Sequence, residues 1–406
     1  MSKALEHLRI LDMSRVLAGP FLAQNLADFG ADVIKIERPH HGDETRTFPP
    51  YLKRADGTQT DDSAYYMSIN RGKRSVTIDI SKPLGQDLIK RLAAQSDVLI
   101  ENYKVGDLKR YGLDYESIKA VKPDIVYCSI TGFGQTGPYR NRPGYDYIFQ
   151  AMSGLMSITG ERDDLPGGGP AKVGLAICDV ITGIYSSFAV MAALAHRDKS
   201  GEGQHIDMSL LDVAIATISH INMNYLVGGI VPKRMGTAHP SIVPYQVFNA
   251  DDGQMVVAVG NDAQFSKLCQ TLALAALPAD ERFRTNVSRV KNRDELVPII
   301  QAKFREKPVA YWIETLTGIG VPCGPINNIK QVFDDPHIKS RGMRVEVDHP
   351  RGGKFSMLAN PARLSVTPAS YDRVPPQLGE HTHEVLRSVL NLDDQTIEAL
   401  TSAGVI

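Results

Sequence analysis

Along the first 130 residues, segments with the hydrophobic pattern of strands alternate with segments that have the pattern of helices. Five short apolar runs predict strands, at residues 8–12, 32–36, 75–80, 97–101 and 124–130. Residues 19–29 and 84–95 repeat apolar side chains every three or four positions and predict helices, the second with Ser81 as its cap and Pro83 in its first turn. A short helical piece is predicted at 115–119. Strands that alternate with helices imply an α/β fold, a doubly wound, mostly parallel, Rossmann-like sheet that binds ligands at its carboxyl ends.

The pattern changes after residue 179. Two long helical stretches, 180–196 and 208–227, are joined by a polar turn at 199–204. Short strands within 242–258 are followed by three predicted helices, at 263–272, 293–306 and 309–316. The chain ends with a strand region and two helices, at 344–357, 382–390 and 394–402. The middle pattern predicts a compact α+β unit.

A chain of 406 residues suggests two or three domains. We expect residues 1–200 to form the first part of a large domain and 201–228 to be a linker helix. Residues 229–325 would form a smaller middle domain. Residues 326–406 would then return as a linker and complete the large domain.

The composition is typical of a soluble protein with almost no net charge. The content is 43% apolar and 22% charged, with 45 Lys and Arg against 46 Asp and Glu, so neither a nucleic-acid nor a membrane partner is expected. The wide spacing of the four cysteines argues against zinc and against disulfides, and we expect no metal. Residues 1–9 lack a signal-like apolar region, and apolar runs such as 188–195 are far shorter than about 20 residues. These features predict a cytoplasmic location.

Asp179 is the candidate nucleophile. Residues 173–178 carry no charge and deliver this carboxylate to the start of an apolar helix. One interpretation is a helix N-cap, since Asp satisfies free N–H groups there. The other is a covalent catalyst, because the positive end of the helix would keep the carboxylate ionised. Both roles can coexist.

Basic residues cluster where predicted strands begin or end. Such loops can converge on one crevice and bind a phosphorylated ligand, although a single basic residue of this kind is more often a surface charge without a role. The residues are Arg38, Lys73, Arg74, Lys104, Arg110, Arg140 and Arg142.

Two other motifs give weaker signals. Gly132, Gly134 and Gly137 form G-x-G-x-x-G, but Pro138 follows and no helix opens there, so we expect a loop beside a ligand. The missing dinucleotide fingerprint also opposes an NAD-dependent oxidoreductase in which Glu37 would bind a ribose. Cys178 could be a thiolate nucleophile, but a buried inert thiol is the simpler interpretation.

Together, these motifs resemble the class III CoA-transferase family (CaiB/BaiF type), which also contains formyl-CoA transferase and carnitine CoA-transferase. The resemblance rests on Asp179 and on residues 8–38, 42–46 (GDETR), 70–79 (NRGKRSVTID), 101–113, 129–138 (SITGFGQTGP), 144–160 and 201–212. Within the family, residues 237–248, 320–328 and 402–406 are most similar to the succinate:hydroxymethylglutarate (glutarate) CoA-transferases and their bacterial relatives.

The resemblance implies an interlaced homodimer in which the small domain lies over the partner's active site. It implies that coenzyme A is substrate and product, that no cofactor is tightly bound, and that acyl-CoA and a dicarboxylic acid are the partners. Succinyl-CoA as donor and glutarate, hydroxymethylglutarate or itaconate as acceptor fit this resemblance. A formyl- or oxalate-type CoA-transferase and a non-catalytic CoA-binding protein are alternatives.

By position, the resemblance assigns Asp179 as the aspartate that becomes acylated. The expected CoA contacts are Val16, Leu17, Ala18, Arg38, Lys73, Arg74, Ile78, Ser81, Asn102, Tyr103, Lys104, Arg110, Arg142, Tyr145 and Asp146. Two of these depart from formyl-CoA transferase, which has Gln at the position of Leu17 and Lys at that of Ser81. The mobile glycine-rich loop of that enzyme is reduced here to Gly260, Asn261 and Asp262, whose backbone N–H groups would stabilise oxyanions.

Two further expectations concern the acceptor and the reaction type. Arg46, Arg71 and His239 are the candidate partners of the acceptor's distal carboxylate, and Arg46 could instead pair with Asp43 or Glu44. Related acyl-CoA racemases carry a proton-transferring His where this chain has Tyr145, which favours a transferase over a 2-methylacyl-CoA racemase.

Overall fold

The structure is a computed structural model that describes residues 2–54 and 56–406. The strands, in chain order, are β1 (Arg9–Asp12), β2 (Asp32–Glu37), β3 (Tyr51–Lys53), β4 (Gln59–Ser63), β5 (Lys73–Thr77), β6 (Val98–Glu101), β7 (Val126–Thr131), β8 (His205–Ser209), β9 (Tyr245–Asn249), β10 (Gln254–Ala258), β11 (Cys323–Pro325), β12 (Arg344–His349) and β13 (Gly353–Leu358).

The α-helices vary from a single turn to 24 residues. They are α1 (Ala18–Asp28), α2 (Ala64–Ile69), α3 (Pro83–Ala94), α4 (Tyr115–Val121), α5 (Asp146–Met152), α6 (Leu155–Ile158), α7 (Ile177–Ser200), α8 (Leu210–Ile218), α9 (His220–Gly228), α10 (Asp262–Thr271), α11 (Asn286–Lys291), α12 (Arg293–Phe304), α13 (Val309–Gly318), α14 (Ile329–Asp334), α15 (Pro336–Ser340), α16 (Thr382–Leu390) and α17 (Asp394–Ser402).

Six strands form a parallel sheet in the order β5-β2-β1-β6-β7-β8. This confirms the predicted α/β fold with a parallel sheet. In the centre of the sheet, Leu11 pairs with Ile34 on one side and with Leu99 on the other. Because the strands are parallel, the segments that follow β1, β6 and β7 all leave the sheet at the same edge.

The alternation of side chains along the strands separates two cores. Ile10 and Val33 face a core completed by α1, α7 and α8. Their neighbours Leu11 and Ile34 face a second core that contains α3, α16 and α17. The C-terminal helices therefore complete the domain that the N-terminal strands begin.

The chain divides into two compact units. The first contains the residues up to Leu155, Val173–Met223 and Ser340–Ile406, and the second contains Met156–Lys172 and Asn224–Lys339. The second unit has its own antiparallel sheet, in the order β11-β10-β9, and its own aromatic core.

The sequence pattern did not predict that Met156–Lys172 belongs to the second unit. Ion pairs connect this segment to the rest of that unit, from Arg162 to Asp294 at 3.2 Å and from Arg234 to Asp163. These partners lie far apart in sequence, so local periodicity carries no signal for them.

Three local predictions were wrong. Residues 208–227 do not form one helix, because residues 205–209 pair with β7 as strand β8 and the helix breaks at Ser219, whose φ is 49°. Ser81 does not cap α3: Lys82 occupies the cap position, and the Ser81 hydroxyl donates to Asp79 at 2.6 Å. The third strand of the sheet is Lys73–Thr77, which starts two residues earlier than predicted and ends three residues earlier.

Helix α7 is long and apolar enough to span a membrane by length and composition alone, with a mean hydropathy of 1.7. The broken pair α8 and α9 meets the same criterion if it is counted as one span. In this fold, however, Val190, Ala193 and Leu194 of α7 are buried in the first core. The apolar character of α7 is thus explained in part by packing within the protein.

Candidate active site

The turn after β1 is held by buried charges. Val16 has φ 67°, a left-handed conformation that is unfavourable for a β-branched residue, and its amide donates to both carboxylate oxygens of Asp43 at 3.3 and 3.4 Å. Lys35 donates from Nζ to Asp43 at 3.0 Å and to the Ser14 carbonyl at 2.9 Å. Both side chains of the Lys35–Asp43 pair are fully buried. The buried Lys35–Asp43 ion pair therefore holds this strained turn in place.

Asp179 is the third residue of α7 and does not act as its N-cap. The cap position is Ala176, which makes no side-chain cap hydrogen bond. Instead, Asp146 of α5 accepts from the amides of Cys178 and Asp179 at 2.7 and 3.3 Å. Because the Asp146 carboxylate accepts from these amides, the Asp179 side chain is not needed to cap the helix.

Burial, followed by the neighbouring Asp146 charge, raises the pKa of Asp179 to about 7. The expectation that the helix end keeps this carboxylate fully ionised is therefore wrong at neutral pH. The same causes, burial followed by Asp146 and Asp179, raise the pKa of Cys178 to about 12. This buried thiol is consequently a poor thiolate nucleophile.

Asp179 lines a cavity of about 520 Å³ at the carboxyl edge of the sheet. This cavity, called the Asp179 cavity below, brings together most of the predicted CoA contacts. The predicted residues on its lining are Val16, Leu17, Ala18, Asn102, Tyr103, Lys104, Arg142, Tyr145 and Asp146.

A second cavity of about 630 Å³ adjoins it, because Arg15, Glu44, Tyr103 and Asp107 line both. The remaining predicted contacts at the strand ends line this second cavity. They are Arg38, Ile78, Ser81 and Arg110. We call this space the Arg38 cavity.

The loop at residues 102–104 is tied to the first turn. Asn102 accepts from the Arg15 amide at 2.8 Å and donates to the Arg15 carbonyl at 2.7 Å. The Arg15 guanidinium also lies over the Tyr103 ring, 5.3 Å from its centroid. The 102–104 loop and the first turn therefore form one wall shared by the two cavities.

Two predicted CoA contacts are engaged elsewhere. Lys73 is fully buried and donates to Asp12, Asn70 and the Pro20 carbonyl at 2.8 to 2.9 Å. Arg74 pairs with Asp32 at the opposite, amino edge of the sheet. Arg74 thus lies away from the carboxyl edge, whereas Lys73 is held by Asp12, the last residue of β1, in a fully buried ion pair.

Two of the predicted acceptor contacts are likewise engaged. Arg46 makes a bidentate pair with Glu37, at 2.8 and 2.7 Å, rather than with Asp43 or Glu44. Arg71 makes a buried bidentate pair with Asp28 at 2.7 Å. Breaking either pair would leave a buried carboxylate without its cation, so both arginines are engaged within the protein in this structure.

The other predicted acceptor and loop residues lie in the second unit. The His239 ring accepts from the Ser241 amide at 3.0 Å and packs near Tyr245. Asn261 caps α10 by accepting from the Gln264 amide at 2.9 Å. The Gly260 amide donates to the Gln264 side chain at 2.8 Å, so in this structure the N–H already has an acceptor and is not available to an oxyanion.

Sequence reasoning missed Tyr65. It lies on the short helix α2, its ring packs edge-on against Phe48, and burial raises the pKa of its hydroxyl, followed by the negative charges of Asp179 and Asp146. This hydroxyl therefore stays protonated and lies within electrostatic reach of the nucleophile. A tyrosine on a six-residue helix after a hairpin gives no local signal of this proximity.

The glycine motif after β7 forms a loop, as predicted. Gly134 and Gly137 have φ 84° and 83°, and the next helix begins only at Asp146. Among residues 2–54 and 56–406, no group of three or more His, Cys, Asp or Glu side chains is placed to hold a metal ion.

Asp146→Asn should make Asp179 more acidic, because it removes the neighbouring negative charge and keeps an oxygen for the α7 amides. The single-turnover acylation rate at saturating acyl-CoA should rise with pH through about 7 in the parent protein. In the variant, the midpoint should move down by about one pH unit. An unchanged or higher midpoint would show that Asp146 does not control the Asp179 charge.

The chain is similar to known CoA-transferases. The family model for CoA-transferase family III matches residues 5–382. The succinate–glutarate CoA-transferase of Agrobacterium fabrum is 48% identical over 96% of this chain and 96% of its own length. The human succinyl-CoA:glutarate CoA-transferase is 47% identical over 100% of this chain and 90% of its own length.

A solved structure shows the same fold. The crystal structure of a CAIB/BAIF family protein from Brucella suis has a TM-score of 0.84 and 44% sequence identity, and covers 96% of this chain and 100% of that chain. The family model and the curated relatives extend over nearly the whole sequence, including Asp179 and the 102–104 loop. The chain belongs to CoA-transferase family III.

Proposed function

We propose that this class III CoA-transferase moves CoA from succinyl-CoA to glutarate or a closely similar dicarboxylate. The observation that carries the proposal is a half-buried carboxylate, Asp179, on the wall of a cavity that adjoins a second cavity lined by Arg38 and Arg110. The donor and acceptor are those named for the relatives from Agrobacterium fabrum and human.

The reaction proceeds through covalent states of Asp179. The carboxylate attacks the thioester carbonyl of succinyl-CoA, the C–S bond breaks, and a mixed anhydride and CoA thiolate form. The thiolate attacks the Asp179 carbonyl, which releases succinate and leaves an aspartyl-CoA thioester. The acceptor carboxylate then displaces CoA to form a second anhydride, and the thiolate attacks its acceptor carbonyl to release the new acyl-CoA and free Asp179.

CoA occupies both cavities in this proposal. The basic residues of the Arg38 cavity bind the phosphates, and the first turn and the 102–104 loop guide the pantetheine arm towards Asp179. Tyr65 is a protonated donor for charge that develops near Asp179. The partial burial of the site limits the access of water to the anhydrides.

The proposed assembly is a homodimer. Ile184, Phe188 and Met191 are 52%, 73% and 37% exposed and lie along one face of α7 at helical spacing. A continuous apolar stripe on a long helix favours a protein partner, and a second copy of the chain completes it. Sedimentation equilibrium should give about twice the chain mass of 44.5 kDa, and a monomer mass would contradict the proposal.

A panel of acceptors tests the substrate assignment. With succinyl-CoA as donor, glutarate should give the highest kcat/KM among glutarate, hydroxymethylglutarate, itaconate, malate and oxalate. Family membership would stand if oxalate or malate were preferred, but the glutarate assignment would fail. Deuterium uptake by 2-methylacyl-CoA, a racemase reaction, should not exceed that of a sample without enzyme.

A further inference from the structure

We propose that Glu101, together with Ser129 and His205, is a buried positioning system that holds the 102–104 loop in its CoA-binding conformation and weakens that hold when Glu101 binds a proton. This inference rests on the proposed role of the loop in holding CoA. It adds a control of CoA affinity by residues that do not line the Asp179 cavity.

The first observation is the contact between Glu101 and the loop. Glu101 is the last residue of β6 and is only 5% exposed. Its carboxylate accepts from the Tyr103 amide at 2.8 Å. Asn102, between them, carries the two hydrogen bonds to Arg15. The Glu101 carboxylate therefore holds the Tyr103 backbone, in addition to the contacts that tie the loop to Arg15.

The second observation is a chain of hydrogen bonds behind the loop. The Ser129 hydroxyl, on β7, lies within reach of the Glu101 carboxyl, whose pKa it lowers, and 2.9 Å from Nε2 of His205, on β8. His205 stacks on Tyr115 with ring centroids 4.9 Å apart. These groups line a cavity of about 280 Å³, and Lys104 of the same loop lines it too. The chain therefore runs from a partly open cavity to the loop that borders the proposed CoA site.

The direction of these hydrogen bonds depends on one proton. When Glu101 is ionised, Ser129 donates to it and His205 Nε2–H donates to Ser129. When Glu101 is protonated, its O–H donates to Ser129, whose hydroxyl then donates to a neutral His205 Nε2. Only the ionised state makes a charge-assisted bond to the Tyr103 amide, and such bonds are the stronger ones.

The surroundings allow this proton to exchange near neutral pH. Burial raises the pKa of Glu101 to about 7, while the Ser129 hydrogen bond and the Tyr103 amide oppose the shift. Burial lowers the pKa of His205, so its ring is neutral in the same range, although Asp207 and Glu116 act in the opposite direction.

The other titratable and charged groups near Glu101 do not neutralise it. Strand β7 contributes Tyr127 and Cys128, whose pKa values burial raises and Glu101 raises further, so both stay protonated. Tyr103, from the loop, also has a raised pKa, first through burial. Lys104 and Lys109 from the loop region, and Asp114 and Glu116 from the α4 end, line the cavity.

The test is a titration of CoA affinity in a background without the Asp179 charge. Calorimetric binding of free CoA to the Asp179→Asn protein should weaken about five- to tenfold between pH 8 and pH 6, beyond the effect of CoA's own phosphate. Adding Glu101→Gln, which keeps an oxygen for the Tyr103 amide, should abolish this part of the pH dependence. The phosphate titration is common to both proteins and cancels in the comparison.

Two further variants sharpen the result. Ser129→Ala should move the midpoint to higher pH, because it removes a hydrogen bond that lowers the pKa of Glu101. Glu202→Gln, at an exposed carboxylate that precedes β8 and does not line this cavity, should leave the pH dependence as in the Asp179→Asn parent. If Glu101→Gln also leaves it unchanged, the positioning role of Glu101 is refuted.

The variant Lys104→Ala distinguishes a failure of the Glu101 role from a failure of the proposed CoA-binding role of the loop. If the loop holds CoA, this variant should raise the Kd for CoA at every pH without altering the midpoint. An unchanged Kd would remove the loop from the CoA site and would overturn the inference for that reason. A raised Kd together with no effect of Glu101→Gln would refute only the role of Glu101.

Discussion

Replacing Asp179 with asparagine should lower the rate of CoA transfer by about 10⁴-fold or more, as expected for the loss of a covalent nucleophile. The amide has nearly the same shape but cannot form an anhydride with the donor. Because Asp146 satisfies the first amides of α7, the helix start should not change. The variant should still bind CoA, and the loss should appear in kcat at saturating succinyl-CoA.

A neighbouring variant provides the control. Cys178→Ala removes a buried thiol whose pKa is raised to about 12, and it should leave kcat unchanged. If Asp179→Asn retained kcat, or if Cys178→Ala caused the larger loss, the nucleophile would have been assigned to the wrong residue.

The largest effect on stability should come from Lys35→Met. Lys35 and Asp43 are both fully buried, and the second buried pair, Lys73 with Asp12, lies close by. Removing Lys35 leaves the Asp43 carboxylate without its cation, which should reduce the free energy of unfolding by about 3–5 kcal/mol. Since Asp43 also holds the Val16 amide, the KM for succinyl-CoA should rise as well.

Urea unfolding followed by circular dichroism measures this loss. The matched control is Lys354→Met, which breaks a cross-strand pair with Glu346 at 3.4 Å in the same unit. Because the Lys354 side chain is 72% exposed, the control should change the free energy of unfolding by less than about 1 kcal/mol. Equal losses in the two variants would show that the buried pair contributes no more than a surface pair.

Much of the first unit could be predicted from local pattern. Apolar runs located β1 and β2 to within one residue, and α16 and α17 were predicted with their observed bounds. The run at 208–227 was misassigned because its side chains suit a helix, whereas pairing with β7 turns residues 205–209 into a strand. That pairing joins positions nearly 80 residues apart and is invisible to a local window.

Only part of the candidate site could be predicted from the sequence, for a similar reason. Asp179 and Lys104 follow from their places relative to strand ends and helix starts, whereas the contacts of the first turn and of Asn102 and Tyr103 follow from the family resemblance. The basic residues Lys73, Arg71 and Arg46 were predicted to contact ligands, and each makes an ion pair with a buried acid, a choice that sequence alone does not reveal. The acids that hold them, Asp12, Asp28 and Glu37, become neighbours only when the sheet assembles.

Covalent capture tests the central claim most directly. The protein is incubated with succinyl-CoA, treated with hydroxylamine or borohydride, digested and analysed by mass spectrometry. We predict modification of Asp179 in the peptide that contains it, dependent on succinyl-CoA and absent from the Asp179→Asn protein. Turnover in the same sample with Asp179 unmodified, or with the acyl group on another residue, would contradict the account.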